Sequence, residues 1–299
     1  MNVQLERRPE TEPLSIGDVS AATGVNPVTL RAWERRYGLI RPQRTQKGHR
    51  LYDASHLERI RSILGWLDRG VAIGRVRALI ERPEHAVDEE REPVWSEALE
   101  AGLAALRELD GQRLEQLFNS LLRDYPLAAV LANWADPLHG HLRAVEEADT
   151  AALLESMLAG FLEVKLGGRL LAGNSRRRAP RFLLLPLGTA RLEAVCQAAL
   201  LHEQGVNASV CAGPVSPETI LFSASARRVA GVLLVLAPEV TPTQLLRGIG
   251  AAPRRLDGPL LLAGPGLAML GELPPDTRGI FGNRAEVAML LRDWMERSS

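Results

Sequence analysis

Between Ile16 and Ile80, apolar positions recur at helical spacing in short runs separated by turn chemistry. Ile16, Val19 and Ala22 predict a first helix, opened by Ser15 with Asp18 three residues later as a capping box and closed by Gly24. Leu30, Trp33 and Tyr37 form the buried stripe of a second helix, which Asn26 caps and Pro27 starts. Two short helices joined by a Gly-containing turn make a helix-turn-helix candidate. "GLIRPQRTQKGHRLYD" then reads as strand, turn, strand, punctuated by Pro42 and Gly48. Asp53 caps a third helix with Leu57, Ile60, Leu64 and Leu67 on one face and Gly70 at its end; Ile73, Val76 and Ile80 mark a fourth.

The pattern changes twice further on. From 93 to 172 it is helical throughout, with apolar lines through Trp95–Leu99–Leu103–Leu106, Leu114–Leu117–Leu121–Tyr125, Val130–Trp134–Leu138 and Leu154–Leu158–Phe161–Leu166. These predict a four-helix bundle, its third helix interrupted by Pro137. From Arg181 onward, "RFLLLPLG", "NASVCAG", "VAGVLLVLAP" and "GPLLLAGPG" are short apolar runs ending in Gly or Pro, with helical stretches such as "ARLEAVCQAALLHEQG" and "SPETILFSASARR" between them. That alternation predicts a doubly wound parallel α/β sheet, a class that takes ligands at the carboxyl ends of its strands. The predicted organisation is therefore multidomain, α and α/β: 14–82, a linker at 83–92, 93–172, a linker at 173–180, and 181–299.

Charge sharpens the first block. The chain is formally neutral, with 36 basic and 36 acidic residues, yet Leu14 to Arg82 holds thirteen Lys or Arg against six Asp or Glu. A compact basic domain on a neutral-to-acidic remainder is the footprint of a nucleic-acid binder. On the second helix, Thr29, Ala32 and Arg36 share the line expected to face outward, with Arg31 and Arg35 beside it. These are the hydroxyl, methyl and guanidinium groups that meet base edges and phosphates in a major groove. Arg44, Lys47, His49 and Arg50 surround the hairpin turn, where a wing grips phosphates.

In order, "SIGDVSAATGVNPVTLRAWERRYGL", "P.R...GHRLY" and "RI..I...LDRGV.I..V..LI" resemble the winged helix-turn-helix domain of the MerR family. The "LRAWERRYGLIRPQRTQKGHRLY" form is similar to its MlrA and CarH branch. The resemblance implies that Thr29, Arg31 and Arg35 reach bases or nearby phosphates and that Arg36 and Tyr37 contact backbone. Arg44, Lys47, His49 and Arg50 would form the wing's grip. It also implies promoter DNA as partner, RNA polymerase beside it, and a homodimer or larger oligomer, because one short recognition helix reads few bases.

In CarH-like relatives the helical and α/β blocks form a cobalamin-binding module, which the order of elements and the "AG.VSPETI" stretch resemble. The ligand chemistry is different here. Where an E/D-x-H-x-x-G turn would supply a cobalt-ligating His, this chain has Thr189, Arg191 and Ala194. The bundle's W-x9-E-H signature is reduced to Val145 and Glu155–Ser156. Arg does not deprotonate to become a ligand, so the α/β block is expected to keep a cobalamin-binding-like Rossmann fold without the cofactor. Arg191 either meets an anionic effector or lies solvated at a helix start.

The remaining features restrict the function further. Cys196 and Cys211 are too few for a disulfide framework and lack metal-ligand spacing. His139 and His141, two residues apart, face apart on a helix. "GPG" at 264–266 lacks the third Gly of a dinucleotide fingerprint and reads as a turn. No nucleophile, acid–base pair or metal set points to an enzyme. The N-terminus carries no signal-peptide pattern, and no apolar run is long enough to span a membrane, so a cytoplasmic protein is expected. The reading is a sequence-specific, cobalamin-independent transcription regulator. A cobalamin- or light-responsive regulator is the alternative, and a cobalamin-type enzyme with a DNA-binding head ranks last.

Overall fold

A computed structural model describes residues 13–81, 93–145, 147–173, 181–211, 219, 229–249 and 258–298. The chain forms two compact units, Met1–Glu155 and Ser156–Ser299. The expected linkers at 83–92 and 173–180, and the stretches "AG.VSPETI" and "SPETILFSASARR", lie almost wholly outside the described residues.

The first unit opens with α1 (Ile16–Thr23) and α2 (Pro27–Arg35). Their boundaries are local chemistry. The Ser15 hydroxyl accepts from the Asp18 amide and the Asp18 carboxylate accepts from the Ser15 amide, while Gly24 closes α1 at φ 72°. The Asn26 side chain accepts from the Val28 amide with Pro27 at the first turn of α2. β1 (Gln43–Arg44) and β2 (Arg50–Leu51) pair antiparallel, and Leu14 bridges to Tyr52. The turn is closed by the Gly48 amide donating to the Thr45 carbonyl, 2.8 Å, with Gly48 at φ 81°. Asp53 caps α3 (Ala54–Asp68), and α4 (Ile73–Glu81) follows. Val19, Leu30, Trp33, Leu39, Ile60, Ile63, Leu67 and Val76 make the core beneath them.

The helical part continues through α5 (Pro93–Arg107), α6 (Gly111–Asp124), α7 (Leu127–Val130) and α8 (Asp136–Val145). α7 and α8 are joined by a π-helical turn, Leu131–Ala135. The expected interruption at Pro137 takes this form. Proline has no N–H to donate back along the helix, and a widened turn just before it absorbs the missing bond without breaking the rod. Trp134 beneath it is fully buried and its indole N–H donates to the Ala98 carbonyl, 3.0 Å. α9 (Ala148–Gly173) follows, and the boundary between the two units falls within it. Glu155 has an 18% exposed side chain and pairs with Arg143 at 2.8 Å and His139 at 3.7 Å.

The second unit is built on a five-stranded sheet: β3 (Arg181–Leu187), β4 (Asn207–Val210), β5 (Gly231–Leu236), β6 (Leu260–Ala263) and β7 (Thr277–Gly279). The order is β4-β3-β5-β6-β7 and every pair is parallel. This is the Rossmann-like α/β architecture expected from the apolar runs. All six residues of β5 are buried, as a central parallel strand covered on both faces requires. α10 (Arg191–Glu203), α11 (Pro242–Ile249) and α12 (Arg284–Ser298) complete the unit. The sequence pattern does not mark β7, because three residues at a sheet edge carry no apolar run.

Candidate nucleic-acid interface

The interface candidate is assembled by α2 and the hairpin, and Glu34 joins them. Its carboxylate accepts from Arg44 at 2.9 Å and pairs with Arg50, tying the wing to the helix. Partial burial pushes this carboxyl up, but the hydrogen bonds and charges of Arg50 and Arg44 outweigh it and hold the pKa below the usual value. Two of the four expected wing cations therefore also position the wing. Lys47 and His49 are exposed at the Thr45–Gly48 turn, and the Lys47 ammonium makes no ion pair with a described residue. Arg44 keeps a half-exposed side chain.

Around α2 the structure divides the expected residues into two groups. Arg31 and Arg35 make no ion pair with a described residue; Arg35 is exposed and Arg31 half-buried, with Val28 exposed beside them. Leu30 and Trp33 are fully buried, as their spacing requires. The placement of Thr29 and Ala32 on an outward line needs correction, whereas Arg36 on the same line stays half-exposed. Thr29 is 1% and Ala32 7% exposed, because α6 packs along that side. The Thr29 hydroxyl faces the Leu122 carbonyl at 3.5 Å, and the Trp33 indole N–H donates to the Asp124 carbonyl at 2.9 Å. The Arg36 guanidinium pairs with the Asp124 carboxylate at 2.5 Å. Tyr37 lies against the same group; burial first, then the Asp124 charge, pushes its phenol above the ordinary value. In this arrangement Thr29, Arg36 and Tyr37 serve the α2–α6 contact.

Sequence reasoning missed Asp124 as a neighbour of the site, and no local signal could have revealed it, since it stands 88 residues from Arg36. It also missed a basic cleft of about 310 Å³ lined by Gly38, Leu39, Arg41, His56, Arg59 and Arg77 with Glu81 and Ser55. Arg59 there donates to the Leu39 carbonyl, holding the end of the α2 segment on α3.

In the second unit, the sheet order reverses between β3 and β5, where doubly wound folds take ligands. The carboxyl edge at that point is occupied by protein. The Thr189 amide donates to the Glu239 carboxylate, 2.7 Å, and that bond holds the carboxyl below its usual pKa. Gly188 sits at φ 68°, where a Cβ would come within 2.5 Å of the same oxygen. Arg191 is bound to Glu163 of α9, 2.8 Å, and Ala194 is fully buried in α10. Ser156 is exposed on α9. Arg191, which the resemblance sets at the position of the ligating His, offers no imidazole, and its guanidinium is held by a carboxylate, so these residues do not fit His-ligated cobalamin. Among the described residues no three His, Cys, Asp or Glu converge as a metal site. Gly264 and Gly266 form the expected turn, closed tightly on β5.

Comparison with known proteins agrees with this geometry. Residues 14–82 match the sequence pattern of the MerR HTH family regulatory proteins. The transcriptional regulator MlrA of Salmonella typhimurium is 36% identical over 155 residues, covering 51% of this chain and 62% of MlrA. The transcriptional repressor CarH of Myxococcus xanthus is 28% identical over 115 residues, covering 34% of this chain and 38% of CarH. The transcriptional regulator ZntR of Escherichia coli is 31% identical over 108 residues, covering 35% of this chain and 77% of ZntR. The chain thus spans about three fifths of the length of the MlrA relatives it matches. With the helix-turn-helix, wing and following helix pair all in place over the matched residues, the chain belongs to the MerR HTH family of regulatory proteins.

Proposed function

We propose that this protein is a sequence-specific DNA-binding transcription regulator whose head, residues 14–82, reads promoter DNA with α2 and grips phosphates with the wing. The observation that carries this reading is the joint geometry of α2 and the hairpin. Glu34 fixes the wing against a helix whose Arg31 and Arg35 make no ion pair with a described residue, while Lys47 stands exposed at the wing tip. A rigid helix offers guanidinium groups to base edges, and the adjoining turn offers an ammonium to the backbone. Residues 93–172 and 181–299 are assigned to assembly and regulation. A homodimer on a two-fold repeat supplies the second half-site that one short helix lacks, and RNA polymerase is the partner at the promoter.

The α/β block acts without cobalamin in this reading, supported by Arg191 bound to Glu163 and by Glu239 at the Thr189 amide. The relatives named above are transcription regulators, and regulation is the activity assigned here.

The test is binding to its own promoter region. Footprinting is expected to show a protected two-fold repeat. Arg31→Ala or Arg35→Ala is expected to cost about 1–3 kcal/mol on that site and to relax preference at one base position. Lys47→Ala should weaken all sequences alike and lower the salt slope by about one. Unchanged base preference in both Arg variants would remove α2 as the reading element.

A further inference from the structure

The face of α2 turned toward α6 offers a hydroxyl, an indole N–H and a guanidinium around buried Ala32 and Trp33, and what covers it is chemically matched to those donors. An α-helix ends with unsatisfied carbonyls and a partial negative charge. At the end of α6 the Leu122 and Asp124 carbonyls meet the Thr29 hydroxyl and the Trp33 indole N–H. The Asp124 carboxylate, the last residue of α6, meets Arg36. A carboxylate in the last helical turn is unfavourable for its own helix. Its compensation here lies on α2, in the guanidinium that the sequence assigns to a phosphate. Carbonyl oxygens and a carboxylate thus stand on α2 as phosphate oxygens would. The contact is anchored nearby: the Ile73 amide donates to the Tyr125 hydroxyl at 3.3 Å, and the Asn133 amide group faces the Leu67 carbonyl at 3.5 Å.

We infer that the C-terminal end of α6 is an autoinhibitory latch on the recognition helix, and that full engagement of DNA requires it to leave. A helix with its side chains is about 10–12 Å across, and the major groove is about 12 Å wide. The groove admits α2 alone, not α2 with α6 alongside. Asp124 would also bring a carboxylate against the DNA backbone. The helical block therefore regulates the head by competing with DNA for one face of α2, which leaves Arg31 and Arg35 on the open side. This inference rests on the DNA-binding reading above.

The test uses the full chain and a fluorescein-labelled random-sequence duplex of about 30 base pairs, sized to exceed one half-site pair, so that no operator need be known. Anisotropy titrations over a range of salt compare wild type with Asp124→Ala, Asp124→Asn and Asp124→Arg. The alanine variant is expected to bind roughly three- to ten-fold tighter, and the arginine variant tighter still. The salt slope should steepen by about one as Arg36 is released to phosphate. Trp33→Phe, which removes the indole N–H together with the pyrrole part of the buried ring, should tighten binding in the same direction in protein that keeps its cooperative melt. Asp124→Asn carries the test if Asp124→Arg loses its cooperative melt. Wild type binding the duplex with equal or higher affinity than both Asp124→Ala and Asp124→Asn would overturn the latch while leaving the DNA-binding reading intact. No binding by wild type or any folded variant would overturn both.

Discussion

At the scale of single residues, one side chain here often sets the position of several others. Glu34 does so for the wing, and Asp53 does so for α3. The Asp53 carboxylate accepts from the Ser55 hydroxyl at 2.6 Å and from the His56 amide at 3.1 Å, and lies 2.7 Å from the His56 ring. The Ser55 hydrogen bond first, then the His56 ring, lowers its pKa from 3.8 to about 2. The folded-state value is depressed, so the stabilisation is present above the unfolded value and is lost as pH falls from about 4 toward 2. Asp53→Ala is expected to destabilise the head by about 1 kcal/mol near neutrality. Unfolding midpoints of wild type and variant should converge below pH 4; a gap that persists at pH 2 would show that the cap does not act through its charge. Ser15, Asn26 and Asp53 were legible as caps from sequence because each acts within three residues of itself. Thr29 was misread because its neighbour arrives from a helix 93 residues away.

At the scale of elements, period and punctuation predicted the helices of the first unit, α10 and most strands, but did not single out α11 or α12. The rod α7–α8 survives Pro137 through a π-helical turn, and β7 forms without an apolar run because β6 supplies its hydrogen-bonding edge. The turn at 264–266 shows how tightly elements can be bound by small residues. A Cβ on Gly266 would lie 2.1 Å from the Ala237 carbonyl oxygen at the end of β5, a backbone atom with nowhere to move. Gly266→Ala is expected to cost about 3 kcal/mol or more and to lower the melting temperature of the α/β unit. Gly271→Ala, with open space around it, serves as the control and should change little. Equal melting of the two variants would show that β5 and the turn are not held as closely as described.

At the scale of the whole molecule, two compact units carry separate chemistries. The first places the basic helix α2 against the acid end of α6; the second carries a parallel sheet whose switch point holds Glu239. The second unit is expected to stay colourless after incubation with adenosylcobalamin in the dark and gel filtration. Stoichiometric retention of the cofactor's visible absorbance would overturn the cobalamin-independent reading. None of the helices among the described residues is long and apolar enough to cross a membrane.

The sequence by itself determined what is local or periodic: caps, the wing turn, alternating strands and helices, and the excess of positive charge over 14–82. It also determined which residue stands at position 191, an Arg where the resemblance implies a cobalt-ligating His, since residue identity needs no fold to read. Only the tertiary structure decided which face of α2 is open. Helical periodicity fixes which residues share a line, but what covers that line depends on where a distant helix packs. Thr29, Ala32 and Arg36 do share a line, and α6 covers the first two while leaving Arg36 half-exposed.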